Sequence, residues 1–237
     1  MTEGARGTTP PRAPRPGEPF PRDILAGDTL DAARAILGAL IVRDPDRAGG
    51  TRRAGRIVEV EAYVGQDDRA SHARMGPTPR NRVMFGPPGI AYVYLVYGMH
   101  HCLNVVTELA PRPAALLIRA VEPVEGLDEM RAARGAIRAG GHHVPDARLA
   151  GGHHVPDARL AAGPGLVGLA FGLDRTATGL DLCDPGSTLR IEAAPGGEPA
   201  PPVVVTPRIG IASAGEPWTS LPWRFLVPGS PSLSRQR

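Results

Sequence analysis

The sequence predicts one domain of mixed α/β (α+β) class, and three observations carry that expectation. At 237 residues and 42% hydrophobic content, the chain can bury roughly 70% of the surface it exposes when unfolded, enough for one sizeable core. Residues 55–64, GRIVEVEAYV, alternate with the two-residue period of a strand. Leu30, Ala33, Ile36, Leu37 and Leu40, by contrast, recur at helical spacing.

In chain order, the first 22 residues are dense in Pro, Gly and Arg and offer too little apolar surface to offset the entropy of ordering. They read as a flexible arm, 1–22, ahead of a domain over 23–230. They also lack the apolar core of a signal peptide, and no apolar run reaches membrane-spanning length. A soluble cytoplasmic protein without membrane contact is expected. Asp28 or Thr29 caps a helix running to about Ile41. In the strand at 55–64, Val58, Val60, Ala62 and Val64 share one face, and Ile57, Glu59, Glu61 and Tyr63 share the other. Residues 66–88 form a long ordered loop pinned by Met84 and Phe85.

Residues 90–97, IAYVYLVY, and 102–108 are strands, and Gly98-Met99-His100 turns between them to make a hairpin. Residues 114–120 are a further apolar strand that carries Arg119, whose charge must be matched if it is buried. A helix is predicted over 126–139, ended by Gly140-Gly141. Gly163-Pro164-Gly165 starts another, from Leu166 to about Phe171, and strands follow within 202–212 and at 223–227. The chain after Pro228 turns rich in Gly, Ser and Arg, and 231–237 reads as a tail.

GGHHVPDARLA occurs twice in succession, at 140–150 and 151–161. Its paired histidines raise a metal site. Adjacent side chains diverge, however, and no acidic or cysteine ligand stands at useful spacing, so a tolerated surface insertion and no metal are expected. Cys102 and Cys183 lack ligand spacing and read as small buried hydrophobes. The net charge is only +3, and all 27 basic residues are arginine. Arginine binds phosphate well and stays protonated, so polyanion binding is open while lysine Schiff-base chemistry is excluded.

The chemistry concentrates around Glu61. Arg119 and Asn104 are polar residues on apolar strands, and each needs a partner such as a carboxylate or a shared water. A carboxylate that deprotonates water and stabilises a developing cationic sugar is what hydrolysis of an N-glycosidic bond requires. Glu59 lies on the same face, about 7 Å away by strand rise, a separation that also suits an inverting carbohydrate hydrolase. The four tyrosines, Tyr63, Tyr92, Tyr94 and Tyr97, all lie beside the carboxylate or in the hairpin. Tyr92 and Tyr94 share a face that can stack a base or pack a core. Tyr97, at the tip, can fill the gap left by a flipped nucleotide. A non-catalytic nucleic-acid-binding module remains open on the same residues.

The runs EVEAYVGQDDRASHA, TPRNRVMF, YVYLVYGMHHCLN, LLIRAVEP, GPG and PRIGI, spread over residues 24 to 230, resemble the alkyladenine (3-methyladenine) DNA glycosylase family of bacteria and mammals. The resemblance implies a curved, mostly antiparallel sheet with peripheral helices and a protruding hairpin that intercalates into DNA. It implies hydrolysis without a cofactor on double-stranded DNA containing damaged purines, by a monomer that associates with the nucleoid when bound. It places the general base at Glu61 and a water-positioning arginine at Arg119. Tyr63, His72 and Tyr94 would line the base pocket, with Asn104 excluding normal purines and the Ile209 main chain contacting the water. Tyr97 and Met99 would enter the duplex. His100 and His101 stand where relatives commonly carry aromatic residues, which would soften the wedge or make DNA engagement pH dependent. Leu166 replaces a usual lysine, removing one contact.

Overall fold

The computed structural model describes residues 17–45, 50–135, 137–139, 142–144, 155–194 and 200–234. The elements run α1 (Arg22–Ala26), α2 (Thr29–Ile36), β1 (Leu40–Arg43), β2 (Arg53–Val64), β3 (Ala91–Val96), β4 (His100–Val106) and β5 (Ala114–Glu125). They continue through α3 (Leu127–Gly135), β6 (Ile137–Ala139), β7 (His142–Val144), α4 (Pro164–Ala170), β8 (Leu189–Glu192), β9 (Val204–Thr206) and β10 (Arg224–Leu226).

Eight strands form one curled antiparallel sheet in the order β3-β4-β5-β2-β1-β8, with β10 pairing β2 and β9 pairing β10. The twelve-residue β2 is its spine. One edge pairs with β5 along nearly its whole length, while the other is divided: Arg53–Arg56 faces β1 and Glu59–Glu61 faces β10. That division sets the C-terminal strand directly beside the carboxylates. Ile36, Ile57, Leu103, Leu116, Ile118, Phe171 and Phe225 form the centre of the main core, where helices and sheet meet. α4 lies hard against β4. A Cβ on Gly168 would stand 2.0 Å from the His101 carbonyl oxygen, so this approach admits only glycine.

Several sequence expectations are corrected. The helix expected to reach Ile41 stops at Ile36. Gly38, at φ 90°, turns the chain, and the following apolar residues gain more from pairing as β1 between β2 and β8 than from another helical turn. The helix expected over 126–139 ends at Gly135, and 137–139 pairs with 142–144. Residues 1–16 of the expected arm lie outside the described residues, but its end is seated: Phe20 is buried and its amide donates to the Ile191 carbonyl at 2.8 Å.

The duplicated segment is not wholly a surface insertion. At the end of the second copy Leu160 and Ala161 are fully buried, and the Val121 amide donates to the Ala161 carbonyl. Arg131 reaches Asp157 at 2.5 Å. Of the expected tail, residues 231–234 fall among those described, and Ser232 and Ser234 there are buried. Cys102 is buried as expected, whereas Cys183 is only partly so.

Candidate active site

Glu61 sits on β2 with no solvent exposure, and two hydrogen-bond donors and one guanidinium cation converge on it. The Tyr63 hydroxyl donates to Oε2 at 3.0 Å. The Ile209 amide donates to Oε1 at 2.7 Å, and Arg119 Nη1 lies 3.2 Å from the same oxygen. Burial, with the neighbouring Glu61 charge, raises the Tyr63 pKa well above its ordinary value. Tyr63 therefore stays a phenol and remains the donor of that bond.

The Ile209 amide is aimed by its neighbour. Arg208 is fully buried and forms a fork to Asp68, Nη1 to Oδ2 at 2.6 Å and Nη2 to Oδ1 at 2.9 Å. It also donates to the Ala62 carbonyl at 2.9 Å and lies against the rings of both Tyr63 and Trp223. Asp68 in turn accepts from the Val64 and Ala70 amides. One arginine thus ties the PRIGI segment to β2 and to the loop that follows it.

Glu59 and Glu61 stand in different surroundings. Glu59 accepts from Arg119 Nε at 2.9 Å, Arg224 Nη1 at 3.0 Å, and both the amide and the hydroxyl of Ser234 at 2.7 Å. Its lone pairs are committed to fixed donors, as a structural anion requires, which removes the paired-carboxylate reading of a carbohydrate hydrolase. Arg119 is held charged by its surroundings: burial works against its proton, but Glu61 and Glu59 outweigh it and its pKa is raised.

Beyond Tyr63 stands an aromatic wall. Tyr92 and Tyr94 share one face of β3, as alternation predicts, with ring centroids 5.6 Å apart. The His72 ring meets Tyr94 edge-on at 4.4 Å, and its Nδ1 lies 3.0 Å from the Tyr92 hydroxyl. Asn81 fixes that loop by donating to the His72 carbonyl at 2.8 Å. Burial, reinforced by the Arg80 charge, lowers the His72 pKa and keeps the ring neutral at pH 7. Arg80 lies over the Tyr94 ring. Asn104 is on the adjacent strand, but it shares no partner with Arg119; its amide donates to the Tyr92 carbonyl at 3.1 Å.

Tyr97 caps the β3–β4 hairpin in the left-handed region, at φ 52°, with 86% of its surface exposed. Gly98 follows at φ 69°, and Met99 is exposed beside it. His100 does not share this tip: a Cβ on Gly165 would stand 2.8 Å from its ring, so it packs beneath α4. Burial foremost lowers the pKa of both His100 and His101. Leu166 is half-buried in the first turn of α4.

Sequence reasoning missed Asp68, Arg208, Arg224 and Ser234. Asp68 and Arg208 lie within the runs QDDRASHA and PRIGI, but their pairing spans 140 residues. Ser234 lies in a segment whose composition suggested only a tail. Among the described residues, no group of three or more His, Cys, Asp or Glu is gathered as metal ligands would be. The side chains of His142, His143, His153 and His154 lie outside them. No described helix is long and apolar enough to cross a membrane.

The Methylpurine-DNA glycosylase (MPG) family model matches residues 23–231. A protein of Anaeromyxobacter dehalogenans, provisionally named a 3-methyladenine DNA glycosylase, is 45% identical over 217 residues, covering 91% of this chain and 86% of its own. One of the same provisional name from Methanocella arvoryzae is 44% identical, covering 92% and 96%. The mouse DNA-3-methyladenine glycosylase is 44% identical over 206 residues, covering 85% of this chain and 57% of the mouse protein. With this extent of match, the chain belongs to the methylpurine-DNA glycosylase family.

Proposed function

We propose that the protein excises 3-methyladenine and related alkylated purines from double-stranded DNA by hydrolysing the N-glycosidic bond. The observation that carries this reading is the convergence of Arg119 and the Ile209 amide on the buried Glu61 carboxylate, within 3.2 Å and 2.7 Å. These three groups form a cradle in which a water can be held and deprotonated. The water oxygen bonds to the sugar C1′ as the C1′–N bond breaks, the base departs with the bonding pair, and the water's proton passes to Glu61. The carboxylate charge also stabilises the cationic sugar of the transition state.

The remaining residues supply access and recognition. Tyr97 and Met99 enter the duplex at the vacated position, and the target purine turns out of the stack. Tyr63, His72 and Tyr94 then line and stack on it, while Asn104 helps exclude normal purines. An alkylated purine already carries positive charge, so its departure demands little protonation from the protein. Because the chain has no lysine, the lysine imine that nicks the strand in bifunctional glycosylases cannot form, and an intact abasic strand is the expected product.

Incubating the protein with methylated duplex DNA tests the reading. Free alkylated purine by chromatography, with strand breaks only after alkali, is expected. Damage binding without base release would contradict it.

A further inference from the structure

Each nitrogen of the Arg119 guanidinium faces a different oxygen. Nε donates to Glu59 Oε1 at 2.9 Å, Nη2 to Ser234 Oγ at 3.2 Å, and Nη1 lies 3.2 Å from Glu61 Oε1. The group is planar, so fixing Nε and Nη2 determines where Nη1 lies. Ser234 closes this arrangement. Its hydroxyl accepts from Arg119 while donating to Glu59 Oε1 at 2.7 Å, and its amide donates to Glu59 Oε2 at 2.7 Å. Only a group that both donates and accepts can stand between that arginine and that carboxylate.

The segment carrying Ser234 is itself tied down. Arg159, in the second copy of the repeat, donates through Nη1 to the Leu233 carbonyl at 2.9 Å and the Pro231 carbonyl at 3.3 Å. Contacts therefore run without interruption from the repeat to the C-terminal segment, to Arg119, and on to Glu61.

We propose that Ser234 is a positioning residue for base excision, holding the Arg119 guanidinium in the plane that keeps Nη1 against the Glu61 carboxylate. It acts through Arg119 and has no contact with the reacting atoms. The inference rests on the role proposed above for Glu61.

The test uses the full chain and a duplex containing an alkylated purine, with single-turnover excision rate as the readout of chemistry. Affinity for a duplex bearing a stable abasic analogue reads binding separately, and far-UV circular dichroism verifies folding. Ser234→Ala removes the hydroxyl, Ser234→Cys keeps most of its volume, and Ser234→Thr restores the hydroxyl. Excision by the Ala and Cys variants is expected to slow about tenfold with unchanged affinity, and Thr to recover most of the rate. In an Arg119→Lys background, Ser234→Ala should change the rate little, because the group it positions is gone.

Wild-type rates in both the Ala and Cys variants would overturn the proposal. So would an undiminished effect in the Arg119→Lys background, or loss of the folded signal in both variants, which would make Ser234 a folding residue. Glu61→Gln, assayed alongside, separates the two readings. Base release by that variant would sink the role of Glu61, whereas an inert Glu61→Gln beside a fully active Ser234→Ala would sink the positioning role alone.

Discussion

The Glu61 carboxylate and the Ile209 amide meet at 2.7 Å, although 148 residues separate them. Two devices achieve this: β10 pairs with the Glu59–Glu61 stretch of β2, and Arg208 is clasped by Asp68. The site is thus a product of tertiary closure rather than of a local motif.

Arg119 neutralises two buried carboxylates at once. Arg119→Met is expected to destabilise the fold by about 3–5 kcal/mol, because Glu61 loses its cation while Glu59 keeps Arg224. Arg119→Lys should recover part of that stability but only a small, measurable fraction of the rate, since an ammonium cannot address three oxygens in fixed directions. Urea melts and excision rates on the same preparations check both statements.

Tyr97 makes the opposite case. Its side chain is exposed at the hairpin tip, so Tyr97→Ala should alter stability by no more than about 0.5 kcal/mol. Affinity for damaged duplex DNA should nonetheless weaken by about 1–3 kcal/mol, the worth of a stacked ring. A thermal melt and a duplex-binding titration make the comparison. An unchanged affinity would remove Tyr97 from the DNA contact.

Much of this was legible in the sequence. The alternation of residues 55–64 put Glu59, Glu61 and Tyr63 on one strand face, and Tyr92 and Tyr94 together on another. Arg119, a charge on an apolar strand, announced a buried counter-charge. What alternation could not reveal is that both faces of β2 are covered, so that Glu59 is saturated by donors instead of working beside Glu61. β1 was hidden because Leu40 and Ile41 continue the apolar spacing of α2, and only the reversal at Gly38 separates them. Ser234 was invisible because serine-rich chain looks the same in sequence whether it is solvated or wrapped over a buried carboxylate.

Burial lowers the His72, His100 and His101 pKa values in the folded protein. The unfolded chain takes up those protons first, near pH 6.5. The contribution of the neutral rings is therefore complete above that pH, and it is lost as pH falls from there through the depressed folded values. Melts from pH 8 to 5 should show stability declining below about pH 6.5, and His72→Phe should flatten part of that slope. A decline confined to pH values above 7 would contradict the assignment.

Deleting residues 140–150 or 151–161 gives the same sequence, with one GGHHVPDARLA remaining. The shortened chain retains the residues that form the Asp157, Arg159, Leu160 and Ala161 contacts. Its stability should therefore change by no more than about 1 kcal/mol, with excision preserved. Leu160→Ala in the shortened chain should then cost about 2–5 kcal/mol, since that side chain is fully buried. Denaturant midpoints of the three proteins decide the matter.

The Glu61 carboxylate is the proposed activator of the attacking water. Single-turnover release of alkylated purine by Glu61→Gln, compared with wild type at equal saturation of the duplex, isolates that role. DNA affinity should be retained while base release falls to background, and release at the wild-type rate would remove Glu61 from the chemistry.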